Sequence, residues 1–345
     1  MSLTATSRSI GRPEPSALRR LRDVQEVGVL VPLVVFALIF YTFNDRFLSV
    51  ISITTMLRAL AFVGIIAVGQ TLLMLAGEFD LSVGSVAALA AVVSAWLMHF
   101  GNWSVLPALV AGLLVGAMTG LVNGFFAVKL GLPALIVTLG MLYIARGLVF
   151  VVSHGVPIYP LPEAVGTFGQ MDVLGTSWAF VTFVVLVLVA DFAMRQTIYG
   201  SMIFATGGNT RAARVAGIDT DKVKMVCFVL VGMLSAVAGV MAMGFIGDGD
   251  PQIGLGWELD VIAAVVIGGV SLFGGVGSVA GTALGVLIMQ VVRNGLVFTG
   301  VDINWTNVAV GSILIAAVAA DLLRREPRSR RGGKKSFLGS LLRRQ

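Results

Sequence analysis

The chain has 345 residues, 57% hydrophobic and only 12% charged, with 42 glycines and a mean hydropathy of +0.96. A soluble domain is nearer a quarter charged, so this composition excludes that class and implies an all-α polytopic membrane protein with helices packed through small residues. The net charge of +6 comes from basic residues flanking apolar runs, which argues against a nucleic-acid partner, and a lone Cys227 excludes an intrachain disulfide.

Residues 1–26 form a polar tail with Arg8, Arg12, Arg19, Arg20 and Arg22. The apolar run 27–43 follows. It is long for a signal-peptide core and ends in YTFNDRF with no small-residue cleavage site, so it reads as a retained span. A span needs roughly 20 apolar residues. That rule places further spans near 53–76, 81–98, 105–128, 133–152, 177–194, 225–246, 258–272, 276–292 and 305–322, about ten in all. The membrane domain expected from them is 27–322. The pair within 258–292 is short and glycine-rich, and a re-entrant or broken segment fits it. Pro32, Pro107 and Pro133 lie near span starts, where proline does least harm. The external segment 153–176 reads either as a connector or as a contact for an outside partner.

The longest polar interruption is 195–224, which carries Arg195, Arg211, Arg214, Lys222 and Lys224. With ten spans this loop, both tails (the second at 323–345) and Lys129 fall on one side. Arg46, Arg58, Arg146 and Arg293 are the exceptions. Basic loops are cytoplasmic, so both termini are expected in the cytoplasm. Trp96, Trp103, Trp178, Trp257 and Trp305 all fall near the outer ends of spans, where amphipathic rings prefer to sit. The C-terminal RGGKKS only superficially resembles a phosphate cradle. A lysine stands where Ser or Thr must hold magnesium, and no strand precedes it. The tail suits anionic lipid headgroups instead.

Two glycine sets recur at spacing four: Gly112, Gly116 and Gly120, and Gly277, Gly281 and Gly285. Such spacing puts glycines on one helix face and lets backbones approach. Each set follows an acidic pair, Glu78 with Asp80 and Glu258 with Asp260. Lys129-Leu130-Gly131-Leu132 also resembles Arg293-Asn294-Gly295-Leu296. Spans 2–5 thus resemble spans 7–10 across an odd separation, an inverted repeat of the kind transporters use.

GEFDLSVGS, GGNTRAARVAGI and ELDVIAAVVIGGVSLFGGVGSVAGTALG together resemble the monosaccharide-type ABC importer permeases, the ribose and xylose class. The likeness runs from about residue 30 to 322, with Gly77-Glu78-Phe79-Asp80 differing at two positions from the usual GGIDLSVGS. The resemblance implies a permease homodimer in a bacterial inner membrane, with cytoplasmic ATP-hydrolysing subunits that hold ATP and magnesium. It also implies a periplasmic sugar-binding protein, and no cofactor or catalysis on this chain. The implied ATPase-coupling residues are Gly207, Gly208, Asn209, Arg211, Ala212, Ala213, Arg214, Gly217 and Ile218.

Coupling requires a short rigid helix at 207–218. Gly207 and Gly208 are expected to permit the turn into it, Asn209 or Thr210 to cap it, and Gly217 to end it. The bland alternative is an ordinary positive-inside loop. The candidate pathway residues are Arg58, Glu78, Asp80, Ser82, Arg146, Glu258 and Asp260. The acidic pairs read first as helix N-terminal caps, with Glu258 and Asp260 alternatively facing the pathway mouth. Arg146 is expected buried and paired, and Arg58 to snorkel outward. Asp191 and Asp321 read as interfacial. His99 and His154 fall in outer loops, and no cluster suggests a metal. An autonomous ion-coupled transporter is the competing class, and it would need a midplane ion site.

Overall fold

The computed structural model describes residues 25–325 apart from Leu174 and Ile303. The N-terminal tail through residue 24 and the C-terminal tail from 326, RGGKKS included, lie outside the described residues.

The described chain is helical, as an apolar environment demands, because a helix satisfies its own backbone. The helices are α1 Gln25–Phe43, α2 Val50–Leu75, α3 Val83–His99, α4 Val105–Gly124, α5 Ala134–Ser153, α6 Glu163–Gly169, α7 Trp178–Gln196, α8 Ile198–Gly208, α9 Thr210–Val215, α10 Thr220–Ile246, α11 Trp257–Ile267, α12 Val279–Phe298 and α13 Asn304–Arg325. A π-helical turn, Phe125–Lys129, extends α4, and a small hairpin, β1 Asp172–Val173 with β2 Thr176–Ser177, precedes α7. By length and composition, α2, α4 with its π turn, α5, α7, α10 and α12 are each able to cross a membrane. Shorter apolar stretches fall in α1, α3 and α13.

Local polar residues decide where these helices begin. The side chains of Ser49, Ser177, Thr197, Asn209, Asp219 and Ser278 each accept a backbone N–H in the first turn of α2, α7, α8, α9, α10 and α12 respectively. Each satisfies a donor that the helix leaves orphaned. Three of these caps fall inside 195–224. The expected long loop is therefore mostly helix, interrupted only around Thr197, Asn209 and 216–219. The expected span 258–272 is the 11-residue α11, which stops at Gly268. Gly269, Gly274, Gly275 and Gly277 then take positive φ, so the segment is broken by a glycine link at 268–278.

The bundle is built around α2 and α10, which run antiparallel. At their crossing a Cβ on Gly69 would lie 2.9 Å from the Val231 Cα. The first glycine face packs on α10 and α3. Gly112 sits on Ala90 and Ser94 of α3 and against Val240, Gly116 lies on the Gly232 carbonyl, and Gly120 on the Phe228 carbonyl. In the second set, Gly281 and Gly285 lie against the Gly268 and Ala264 carbonyls at the end of α11. Gly277 departs from that face: it precedes α12, and its φ of +142° serves the link. Thr71 and Thr282 share a hydrogen bond of 2.7 Å between α2 and α12, and the Phe40 ring of α1 covers Gly295 of α12.

Contacts sort the links into two ends. At the basic end, Leu75, Glu78, Asn123, Lys129, Gly207, Lys224 and Gly275 gather. At the opposite end Arg58 pairs with Asp172, Asn44 donates to the Phe298 carbonyl, and Ile158 bridges Gly249. The segment 153–176 is thus packed on its own chain, with the His99 ring nitrogen also 2.9 Å from the Pro160 carbonyl.

The glycine contacts yield a graded expectation. Gly116→Ala or Gly232→Ala forces a methyl into a facing carbonyl and costs about 1–3 kcal/mol. Gly140→Ala, with nothing within 4 Å of its added Cβ, is neutral or stabilising. Melting of the purified variants in detergent separates the two outcomes.

Candidate functional site

At the basic end the short α9 stands out from the bundle. Asn209 has an extended φ of −158°, and its side chain accepts the Ala212 N–H at 3.0 Å. Gly217, at φ +88°, turns the chain out of the helix, a left-handed conformation that glycine adopts without strain. Ala213 is buried, whereas Arg211 and Ala212 are exposed and Val215 is 86% exposed. Arg214 turns back into the chain. Its Nε donates to the Thr220 Oγ1 at 2.8 Å and its guanidinium pairs with Asp221.

Gly207 and Gly208 do not make the turn into α9, which Asn209 makes. They end α8 with helical backbones, and their role is close approach. A Cβ on Gly207 would strike the Leu75 carbonyl, and one on Gly275 would lie 2.6 Å from the Gly208 Cα. A Cβ on Gly274 would lie 2.8 Å from the Gly77 Cα, and the Gly275 N–H donates to the Leu75 carbonyl at 3.0 Å. The end of α2, the end of α8 and the 268–278 link therefore meet backbone to backbone.

Beside this junction Glu78 pairs with Lys224 at 2.7 Å, both side chains mostly buried. Asp80 is only 2% exposed. It accepts from the Ser82 N–H at 2.7 Å, the Ser82 hydroxyl at 2.6 Å and the Asn123 amide at 2.9 Å. It closes the turn before α3 and ties that turn to the end of α4, as a buried carboxylate requires.

At the opposite end a cavity of ≈840 Å³ opens between α2, α10, α11, α12 and the start of α13. Its lining includes Arg58, Phe62, Phe245, Asp250, Trp257, Asp260, Gln290, Arg293 and Thr306. The Trp257 ring stacks on Phe62 with centroids 6.0 Å apart and planes 3° apart. The Arg58 guanidinium lies 5.6 Å from the Phe245 centroid while pairing with Asp172 at 2.9 Å. Arg293 of α12 is salt-bridged to Asp260 of α11. The 247–256 link borders the cavity. There Asp248 is pushed above the usual carboxylate range by burial and by neighbouring Asp250.

Arg146 is half-buried and donates to the Pro251 and Ile253 carbonyls of that link, at 2.9 and 3.1 Å. Glu258 stands in the first turn of α11, where its carboxylate accepts a hydrogen bond from its own backbone N–H. Its carboxylate faces the start of α3, where a Cβ on Gly84 would lie 2.7 Å from Oε2 and would strike the Gly254 carbonyl. A carboxylate there suits the positive end of α3.

The chain matches, over residues 52–318, the family described as branched-chain amino acid transport system / permease component. The chain belongs to this permease family. It is 37% identical to an L-arabinose ABC transporter permease of Azospirillum brasilense, over 87% of this chain and 88% of that one. It is 36% identical to a ribose import permease of Bacillus subtilis (86% and 93%) and 34% to a fructose import permease of Rhizobium meliloti (84% of each). A metal-chelate type ABC transporter solved in an inward-facing conformation shares the fold, with a TM-score of 0.50 at 15% identity over 86% of this chain and 98% of that one.

In this permease the sequence-selected residues fall into separate places. Arg58 and Asp260 line the cavity, Arg146 braces its bordering link, Glu258 faces the start of α3, and Glu78, Asp80 and Ser82 stand at the basic end. Asp191 pairs with Arg195 at 2.8 Å in the last turn of α7. Sequence reasoning missed Lys224, Asn123 and Arg293 as partners, because each lies 33 or more positions from the acid it meets. The available signal for Arg293 was its place off the basic side. Among the described residues, no group of three or more His, Cys, Asp or Glu side chains is placed to hold a metal ion.

The Glu78–Lys224 pair joins the α2–α3 link to α10 across 146 positions. A double-mutant cycle of Glu78→Gln and Lys224→Met, read by chemical or thermal unfolding, should return a coupling of about 0.5–3 kcal/mol. Strictly additive losses would mean that the pair contributes nothing.

Proposed function

We propose that this permease is the membrane-spanning subunit of an ATP-driven, binding-protein-dependent importer that moves a monosaccharide or a similarly small polyol across a bacterial inner membrane. The observation that carries the reading is family membership over 52–318, joined to relatives named for arabinose, ribose and fructose import. The chain supplies the passage. A separate cytoplasmic subunit hydrolyses ATP and holds its magnesium, and an external binding protein delivers the sugar.

In this reading the chain crosses the membrane ten times, with both termini cytoplasmic, and works as a homodimer. An inverted repeat relates α2–α5 to α10–α13. It is supported by the pairing of α2 with α10, 26 and 27 residues long, each followed by a link and a shorter helix. The exposed helix α9 is the coupling element. Arg211, Ala212 and Val215 face the ATPase subunit, while Asn209, Arg214 and Gly217 hold the helix in shape. Ala213 and Ile218 fasten it from beneath, the Ile218 N–H donating to the Ala213 carbonyl at 3.0 Å. From α9 the motion passes through Gly207 and Gly208 to the glycine junction, a rigid-body transmission.

Uptake of L-arabinose, D-ribose and D-fructose into proteoliposomes tests this, with and without the ATPase subunit and the binding protein. Import should require all partners. Arg211→Glu should lower transport and partner-stimulated ATP hydrolysis about three- to tenfold by weakening docking. Gly275→Ala should leave docking intact but lower sugar moved per ATP. If this chain alone moved solute down an ion gradient, the ion-coupled alternative would replace the importer.

A further inference from the structure

We propose that the cavity at the opposite end is a defined binding site for one neutral sugar ring, rather than an unselective passage. The inference rests on the importer reading and deepens it.

Four observations converge. First, the volume of ≈840 Å³ falls within the range of specific small-molecule sites, roughly 300–1,000 Å³. Second, its lining carries two arginines, Arg58 and Arg293, and two aspartates, Asp250 and Asp260. Arg293 is paired with Asp260, and Arg58 with Asp172 just outside the lining, so neither cation is free to draw an anion. Third, Trp257 sets a flat aromatic wall, stacked in parallel on Phe62 and so fixed in orientation. A sugar ring presents an apolar C–H face that suits such a wall, and hydroxyls around its edge. Fourth, hydrogen-bonding groups line the cavity beside that wall. Arg293 engages one oxygen of Asp260, Gln290 offers both a donor and an acceptor, and the buried Thr306 hydroxyl meets no partner among the described residues. A buried hydroxyl without a partner is costly, and a bound hydroxyl would satisfy it. Carboxylate, guanidinium and amide groups are planar and suit adjacent hydroxyls.

The contacts available also define the site's limits. A branched-chain amino acid would bring two charges to a cavity whose Asp260 and Arg293 already neutralise each other and whose Arg58 is held by Asp172. A hydroxylated ring replaces its water with the uncharged groups and leaves both ion pairs in place.

The test uses the full-length permease alone in nanodiscs, titrated with L-arabinose, D-ribose, D-fructose and L-leucine and read by tryptophan fluorescence. The same variants are then assayed for import in the complete complex. At least one sugar should give a saturable change that leucine does not, and Trp257→Phe should remove most of it. Thr306→Val and Gln290→Leu should raise the half-saturating sugar concentration about tenfold, in binding and in import alike, with unaltered melting temperature. Import by the complete complex, with no saturable signal from the permease alone and unchanged half-saturation in both variants, would overturn the site and leave the importer reading intact. Saturation by leucine instead of sugar would overturn the ligand class. Failure of the complete complex to import any of the three sugars would overturn the importer reading, and this site with it.

Discussion

Contact between helix backbones is the constraint on which the rest of this structure depends. In lipid, apolar side chains gain little by leaving their surroundings, so helices associate by close packing and polar contacts. Gly69 on Val231, Gly116 on Gly232, Gly120 on Phe228 and Gly239 on Ala87 bring α2, α3, α4 and α10 together with no side chain between them. Carbonyl against glycine leaves almost no room for adjustment. The centre of the bundle is therefore stiff, and the ion pairs are left to its two ends and their links.

Those links are where the helices stop short. The 76–82 turn, the 247–256 link and the 268–278 link all carry glycines at positive φ. Each break frees backbone groups that the chain must satisfy, and the observed polar contacts do this. Leu75 accepts from Gly275, Asp80 holds Ser82 and Asn123, and Arg146 holds the Pro251 and Ile253 carbonyls. The same elements connect the two ends of the bundle. Helix α10 begins with Lys224 beside the glycine junction and ends with Phe245 in the cavity wall. Helix α2 runs from Arg58 in that wall to Leu75 in the junction. A stiff antiparallel pair that touches both ends is the geometry a rigid-body transmission needs.

What was legible in the sequence follows from range. Hydropathy is a local property, and the apolar runs fall on helices, with α10 starting five residues early because Asp219 caps it and α11 ending at Ile267, short of the expected 272. The first glycine face and the Asn209 cap were also local patterns, and both were visible. In 195–224 the polarity outweighs the three capping residues, Thr197, Asn209 and Asp219, so the helical structure outside the short helix expected at 207–218 is not legible. Gly207 and Gly208 read as turn formers by residue type, and Gly277 as part of a face by spacing. Their real constraint is what stands opposite, and spacing does not encode that. Trp257 fitted an interfacial belt by position, yet it lines the cavity against Phe62.

The exceptions to the charge rule carried more information than the residues that obeyed it. The basic side gathers Lys129, Arg195, Arg211, Arg214, Lys222 and Lys224. Of the four arginines off that side, Arg58 and Arg293 line the cavity, Arg146 holds the link that borders it, and Arg46 lies apart in the turn after α1. A cation away from the favourable side is expensive within the apolar zone and persists only where partners fix it. Asp172, Asp260 and the Pro251 and Ile253 carbonyls are those partners. Three of the four positions that break a global pattern thus converge on one region. Neither Arg58, Arg146 nor Arg293 has a sequence neighbour that explains it, and all three are explained by the same cavity.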